Sequence, residues 1–164
     1  MKIKSLLAKP FAGYVHRTIQ RQAATAVEDQ DRILRELIKT GRKTHFGEQH
    51  HFDEVRSYQE FRAAVPVRDY EQFRPFIDLI KEGRQHVLWK GRPIYFAKTS
   101  GTTSGVKYIP ITKDSISNHI DSARNALLCY IAESGNNKFT DGKMIFLSGS
   151  PELDRVGGIP TGRL

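Results

Sequence analysis

The segment 95–112, YFAKTSGTTSGVKYIPIT, constrains this chain more than any other stretch. Two short apolar runs flank seven consecutive residues drawn only from Thr, Ser and Gly: Thr99, Ser100, Gly101, Thr102, Thr103, Ser104 and Gly105. Val106 and Lys107 follow. This composition reads as a tight loop between two short strands, expected at 94–97 and 108–111. Gly101 and Gly105 admit backbone angles that other residues resist, so successive N–H groups can converge on one concavity. The hydroxyls add donors, and Lys107 adds a compact positive charge. Such a set suits a polyphosphate, which needs many donors and little hydrophobic cover. The nucleotide P-loop pattern G-x-x-x-x-G-K-[ST] does not describe it. Counted from Gly101, Val106 stands where the second glycine belongs and Tyr108 where a hydroxyl should meet magnesium.

The chain before the loop reads as helical. Val15, Ile19, Ala23, Ala26, Val27, Leu34, Leu37 and Ile38 recur at helical spacing, with a polar interruption at 28–32. Thr25 and Glu28 have capping-box spacing, so two helices meeting near Thr25 or one long helix both fit. Gly41 is placed as the C-cap. Ser57 and Glu60 form a further capping box that opens a short helix through Ala64, which Pro66 stops. Asp69 is the expected cap of a helix bearing Tyr70, Phe73, Phe76, Ile77 and Ile80, with a kink or break at Pro75. Arg68 and Arg74 read as solvated partners around that cap. His45, His50 and His51 lack the spacing of a zinc motif and are assigned surface or structural roles, so no metal site is predicted. Trp89 is expected in the core or as a lid over helix 69–81.

Beyond the loop, Thr112 caps the longest expected helix, which Gly135 ends. Its predicted buried face is Ile116, Ile120, Ala123, Leu127, Tyr130 and Ile131. Residues 143–147, KMIFL, read as a buried strand, and the Gly/Pro-rich remainder, SGSPELDRVGGIPTGRL, as a loop.

Composition narrows the function classes. The chain has 164 residues, 38% of them hydrophobic, enough for a sizeable core. Its single cysteine, Cys129, excludes an internal disulfide and reads as a structural thiol in a helix, which suits a reducing cytoplasm. The net charge of +8 is concentrated at the start, where Lys2, Lys4, Lys9, Arg17 and Arg21 have no acid among them. The rest is nearly balanced, and no basic stripe with interleaved aromatics points to nucleic acid. Leu6, Leu7 and Ala8 are cut off by Lys9 and Pro10, too short a run for a membrane span or a signal core.

The loop resembles the phosphate signature of adenylate-forming enzymes, [ST]-[ST]-G-[ST]-[ST]-x-G-x-K, running from Thr99 to Lys107. With its flanks, FAKTSGTTSGVKYIPIT resembles the form found in auxin-responsive Gretchen-Hagen-type acyl acid–amido synthetases. SYQEFRAAVPVRDYEQFRPFIDLI is similar to a second stretch of that family, and the likeness runs over roughly residues 30 to 164. It implies an α/β fold: an N-terminal helical region over 1–90, then over 91–164 the start of a mixed sheet carrying the phosphate loop. The chain would be the N-terminal part of one adenylate-forming domain. The implied reaction activates a small-molecule carboxylic acid with ATP and Mg2+ as an acyl-adenylate and passes it to an amino acid or other amine. By the resemblance, Thr99 to Gly105 bind the nucleotide and Lys107 is catalytic, while the magnesium ligand, the ribose aspartate and a mobile C-terminal domain belong to sequence further on. Two other readings fit the residues: an inactive remnant or interaction module of the same fold, and a nucleic-acid module using residues 1–27.

Overall fold

The computed structural model describes residues 3–99, 105–143, 145 and 152–163, with side chains from Leu7 onward. It is a mixed α/β fold of six α-helices, a 3₁₀ turn and a four-stranded sheet among the described residues. Two compact units share the chain, each made of two separate stretches.

The first unit takes residues 1–29 and 115–147. Helix α1 (Ile3–Ala24) begins ahead of the apolar period and continues through Pro10. It packs on α6 (Lys113–Ser134) through Ala12, Val15, Leu128 and Ile131. Of the face the period predicted, Ile131 is buried there, but most of the rest is not. Ile120, Leu127 and Tyr130 are 61%, 44% and 50% exposed. The side of α6 that is buried instead runs through Leu128, Ile131 and Ala132, in one cluster with Ala8, Ala12 and Val15 of α1. Gly135 ends α6 at φ +65, its N–H bonded to the Ile131 carbonyl, as expected. Cys129 is half-buried in α6. A 3₁₀ turn (Lys138–Asp141) follows.

The second unit takes residues 30–114 and 148–164. Helix α2 (Ala26–Gly41) is separated from α1 by the single residue Thr25. The two-helix reading holds, but the Thr25 hydroxyl bonds to the Asp29 carboxylate rather than closing a box with Glu28. Gly41 is no left-handed cap. It ends α2 buried, and its carbonyl accepts from both the N–H and the hydroxyl of Thr44. Thr44 in turn caps the short α3 (His45–Gln49). Gly47 has no space for a methyl, which would run into the Gly41 carbonyl.

His50 is buried with both ring nitrogens engaged. Nδ1 lies 2.7 Å from the Phe46 carbonyl and Nε2 2.9 Å from an Arg68 nitrogen. A carbonyl only accepts and a guanidinium only donates, so these bonds assign the Nδ1–H tautomer. The structural role expected of the histidines is met here, while Arg68 is half-buried over Phe46 rather than solvated. Among the described residues no His, Cys, Asp or Glu group is arranged to hold a metal, and no helix is long and apolar enough to cross a membrane.

The Ser57 capping box forms, and the Asp69 cap proves to be a box as well. Ser57 and Glu60 open α4 (Tyr58–Ala64), and Asp69 with Gln72 opens α5 (Tyr70–Lys81). Helix α5 is unbroken through Pro75. Its Phe76, Ile77 and Ile80 form the main core with Val87, Phe96 and Ile159.

The sheet order is β2-β1-β4-β3. Strands β1 (Tyr95–Thr99) and β2 (Lys107–Ile111) pair antiparallel, and β1 pairs parallel with β4 (Ile159–Gly162). Strand β3 (Asp154–Val156) closes a hairpin with β4 in the stretch read as loop. Its turn is Gly157-Gly158, at φ +56 and +76. Two positive φ values in succession are what a two-residue hairpin turn requires. Of the strand expected at 143–147, the described Lys143 and Ile145 belong to no strand, and Ile145 is 88% exposed. Its other residues lie outside those described.

Candidate functional site

The β1–β2 hairpin sets the loop. Its register places Thr99, the exposed last residue of β1, opposite Lys107, the first of β2. Five candidate residues, Ser100, Gly101, Thr102, Thr103 and Ser104, lie outside the described residues. Gly105 is exposed at φ +78, and no described residue lies within 4 Å of where its Cβ would stand. Glycine is needed there for the backbone angle, not for space.

Three lysines and two tyrosines surround the exit of the loop. Lys81, at the end of α5, places its ammonium 4.3 Å from the centre of the Tyr108 ring and pairs with Asp78 at 2.9 Å. Lys98 on β1 pairs with Asp154 on β3, and that carboxylate, by its hydrogen bond, holds the lysine pKa above the usual range. Lys107 is half-buried and differs from both. Its ammonium lies 5.6 Å from the centre of the Tyr70 ring and makes no ion pair among the described residues. The Tyr70 hydroxyl meanwhile accepts the backbone N–H of Tyr108 at 2.8 Å. Two of the three cations are thus paired with acids, and the third lies over an aromatic ring.

At the other end of β2 a cavity of ~200 Å³ is lined by Ile80, Val87, Trp89, Pro93, Pro110 and Thr112. Trp89 is half-buried there, and its indole N–H donates to Asp114 at 3.0 Å. Asp114 also pairs with Lys90 at 3.1 Å. The indole bond first, and then Lys90, lower the Asp114 pKa. Sequence reasoning gave Asp114 no site role. It also gave no site role to Tyr70, Lys98 or Asp154, whose contacts span 38 and 56 positions and leave no local signal.

A family model described as the GH3 family N-terminal domain matches residues 15–164. The chain belongs to the GH3 family. A curated relative, the putative indole-3-acetic acid-amido synthetase GH3.10 of Oryza sativa subsp. japonica, is 26% identical over 151 residues, covering 87% of this chain and 30% of its own. Among solved structures, a GH3.15 acyl acid amido synthetase superposes with a TM-score of 0.77 at 19% identity, over 90% of this chain and 27% of that one. AtGH3.15 acyl acid amido synthetase in complex with 2,4-DB gives 0.74 at 22% identity, over 85% and 24%. These superpositions establish the fold, a GH3 N-terminal portion. The chain spans less than a third of the length of each relative.

Proposed function

We propose that this GH3 chain is the nucleotide-phosphate part of an ATP-dependent acyl acid–amido synthetase, the N-terminal piece of one adenylate-forming domain. The observation that carries the reading is the ammonium of Lys107, two residues after the Ser/Thr/Gly stretch, over Tyr70 and without a carboxylate among the described residues, while Lys81 and Lys98 each have one. An ammonium so placed is free to meet phosphate oxygens. The donors suit the ligand: hydroxyls of Thr99, Ser100, Thr102, Thr103 and Ser104, and backbone N–H groups through Gly105.

In this proposal the loop holds the phosphates of ATP and Lys107 offsets charge on the departing pyrophosphate. Mg2+ would shield the phosphate oxygens, and Asp78 and Asp154, engaged with lysines, are not assigned to it. A substrate carboxylate attacks the α-phosphorus and pyrophosphate leaves. The amine of an amino acid or other acceptor then attacks the acyl carbon and AMP leaves. The named relatives favour a small-molecule acid as the acyl donor.

Titration of the chain with MgATP tests this. Lys107→Ala is expected to weaken binding roughly tenfold or more, and a wild-type chain that takes up no MgATP overturns the proposal. A second reading rests on the exposed Ile120, Leu127 and Tyr130. In it the chain is a non-catalytic interaction module of the same fold, and apolar dye binding without MgATP uptake is its signature.

A further inference from the structure

Lys107 and Tyr108 follow each other at the exit of the loop, and one residue far away in sequence touches both. Tyr70 stands at the first position of α5, directly after the Asp69 cap. Its hydroxyl accepts the Tyr108 N–H at 2.8 Å, and its ring lies under the Lys107 ammonium at 5.6 Å. Strand β2 is a sheet edge, and an edge strand turns some of its N–H groups away from the ladder. Tyr70 satisfies one of these and fixes the backbone at the position after Lys107. The capping box of Asp69 and Gln72 fixes the start of α5, and Phe76, Ile77 and Ile80 anchor the helix in the core. The tyrosine is therefore carried by a rigid element.

We infer that Tyr70 is a positioning residue for Lys107: its hydroxyl sets the loop-exit strand and its ring holds the ammonium beside the loop. A ring face attracts the ammonium without neutralising it, so Lys107 is placed yet keeps its full charge for an anion. A carboxylate in the same place would position the lysine but compete with phosphate. This deepens the phosphate-site reading and rests on it for the identity of the anion, but the positioning itself is measurable without any ligand.

The test uses the whole chain labelled with 13Cε-lysine, the Lys107 signal being identified by its loss in Lys107→Arg. The ring is expected to displace the Lys107 ε-proton signal upfield in the wild type and in Tyr70→Phe, and the displacement is expected to vanish in Tyr70→Leu. A Lys107 signal unchanged between wild type and Tyr70→Leu overturns the ring's role. Tyr70→Phe keeps the packing, so it also tests the hydroxyl if the leucine variant fails to fold. Exchange of the Tyr108 amide with solvent should quicken at least tenfold in Tyr70→Phe, and an unchanged rate overturns the hydroxyl's role. With MgATP added, Tyr70→Leu should bind roughly twofold to fivefold more weakly than wild type. An intact ring displacement with no response to MgATP in the wild type refutes the nucleotide reading and leaves the positioning role standing.

Discussion

The chain contains two hairpins that use glycine for different reasons. The β3–β4 turn is Gly157-Gly158, and it is pressed against protein. A methyl on Gly157 would run into the carbonyl of Lys81 at the end of α5, and Arg92 donates to the Gly157 carbonyl from another side. The β1–β2 loop ends at Gly105, which has the same kind of backbone angle and open space around it. The closed hairpin holds the sheet against the helix. At the β1–β2 hairpin, Gly105 keeps its left-handed angle with no packing contact from the described residues. The same kind of angle is a structural joint where it sits under a helix end, and at Gly105 no described residue packs on it.

Substitution should separate the two. Gly157→Ala combines a left-handed alanine with a collision against the backbone and is expected to cost about 3 kcal/mol of stability in urea unfolding. A loss below about 1 kcal/mol would show that the turn is not held against α5. Gly105→Ala meets no described neighbour and should cost only about 1 kcal/mol, the penalty of the angle. It should nevertheless weaken MgATP binding, whereas Gly157→Ala, at a temperature where it is folded, should leave that binding unchanged. Equal effects of both substitutions on binding would erase the contrast.

The two hairpins also differ in how readily the sequence discloses them. The β1–β2 loop is visible because seven small or hydroxyl-bearing residues in a row leave a loop as the only local option. The second turn has a signal too, Gly-Gly between Val156 and Ile159, but Pro160 inside β4 and the surrounding glycines mask it. Helices α4 and α5 are legible from their caps because a cap is local. The end of α6 is legible for the same reason, from Gly135, yet of its buried face only Ile131 is. Both Leu127 and Leu128 fit an apolar stripe, and only the neighbouring helix decides that Leu128 goes inside. At the candidate site, the motif discloses Thr99, Gly105 and Lys107. The motif is silent on which lysine keeps its charge uncommitted, because Asp78, Asp154 and Tyr70 reach the hairpin through the fold.

The gentlest perturbation of the comparison is pH. Lys98 ties β1 to β3, and its pKa is raised above 10.5 chiefly by the hydrogen bond to Asp154. The folded state therefore holds that proton more tightly than the unfolded chain does. The stabilisation is fully present below pH 10.5 and is lost as pH rises through the folded pKa. Asp154→Asn should lower stability slightly near neutrality, because the pair faces solvent, and its difference from wild type should close in strong alkali. Asp114 runs the other way. Its pKa is lowered below 3.8 by the Trp89 indole bond and then by Lys90, so its contribution is present above pH 3.8 and fades as pH falls through the folded value. Trp89→Phe keeps an aromatic ring over the cavity and removes the donor, so its difference from wild type should narrow in acid and persist in alkali. Urea unfolding of both variants across pH measures this directly. A gap for Asp154→Asn that survives above the folded lysine pKa would mean that the carboxylate supports the β3–β4 hairpin by packing, and that charge pairing is not what distinguishes Lys98 from Lys107.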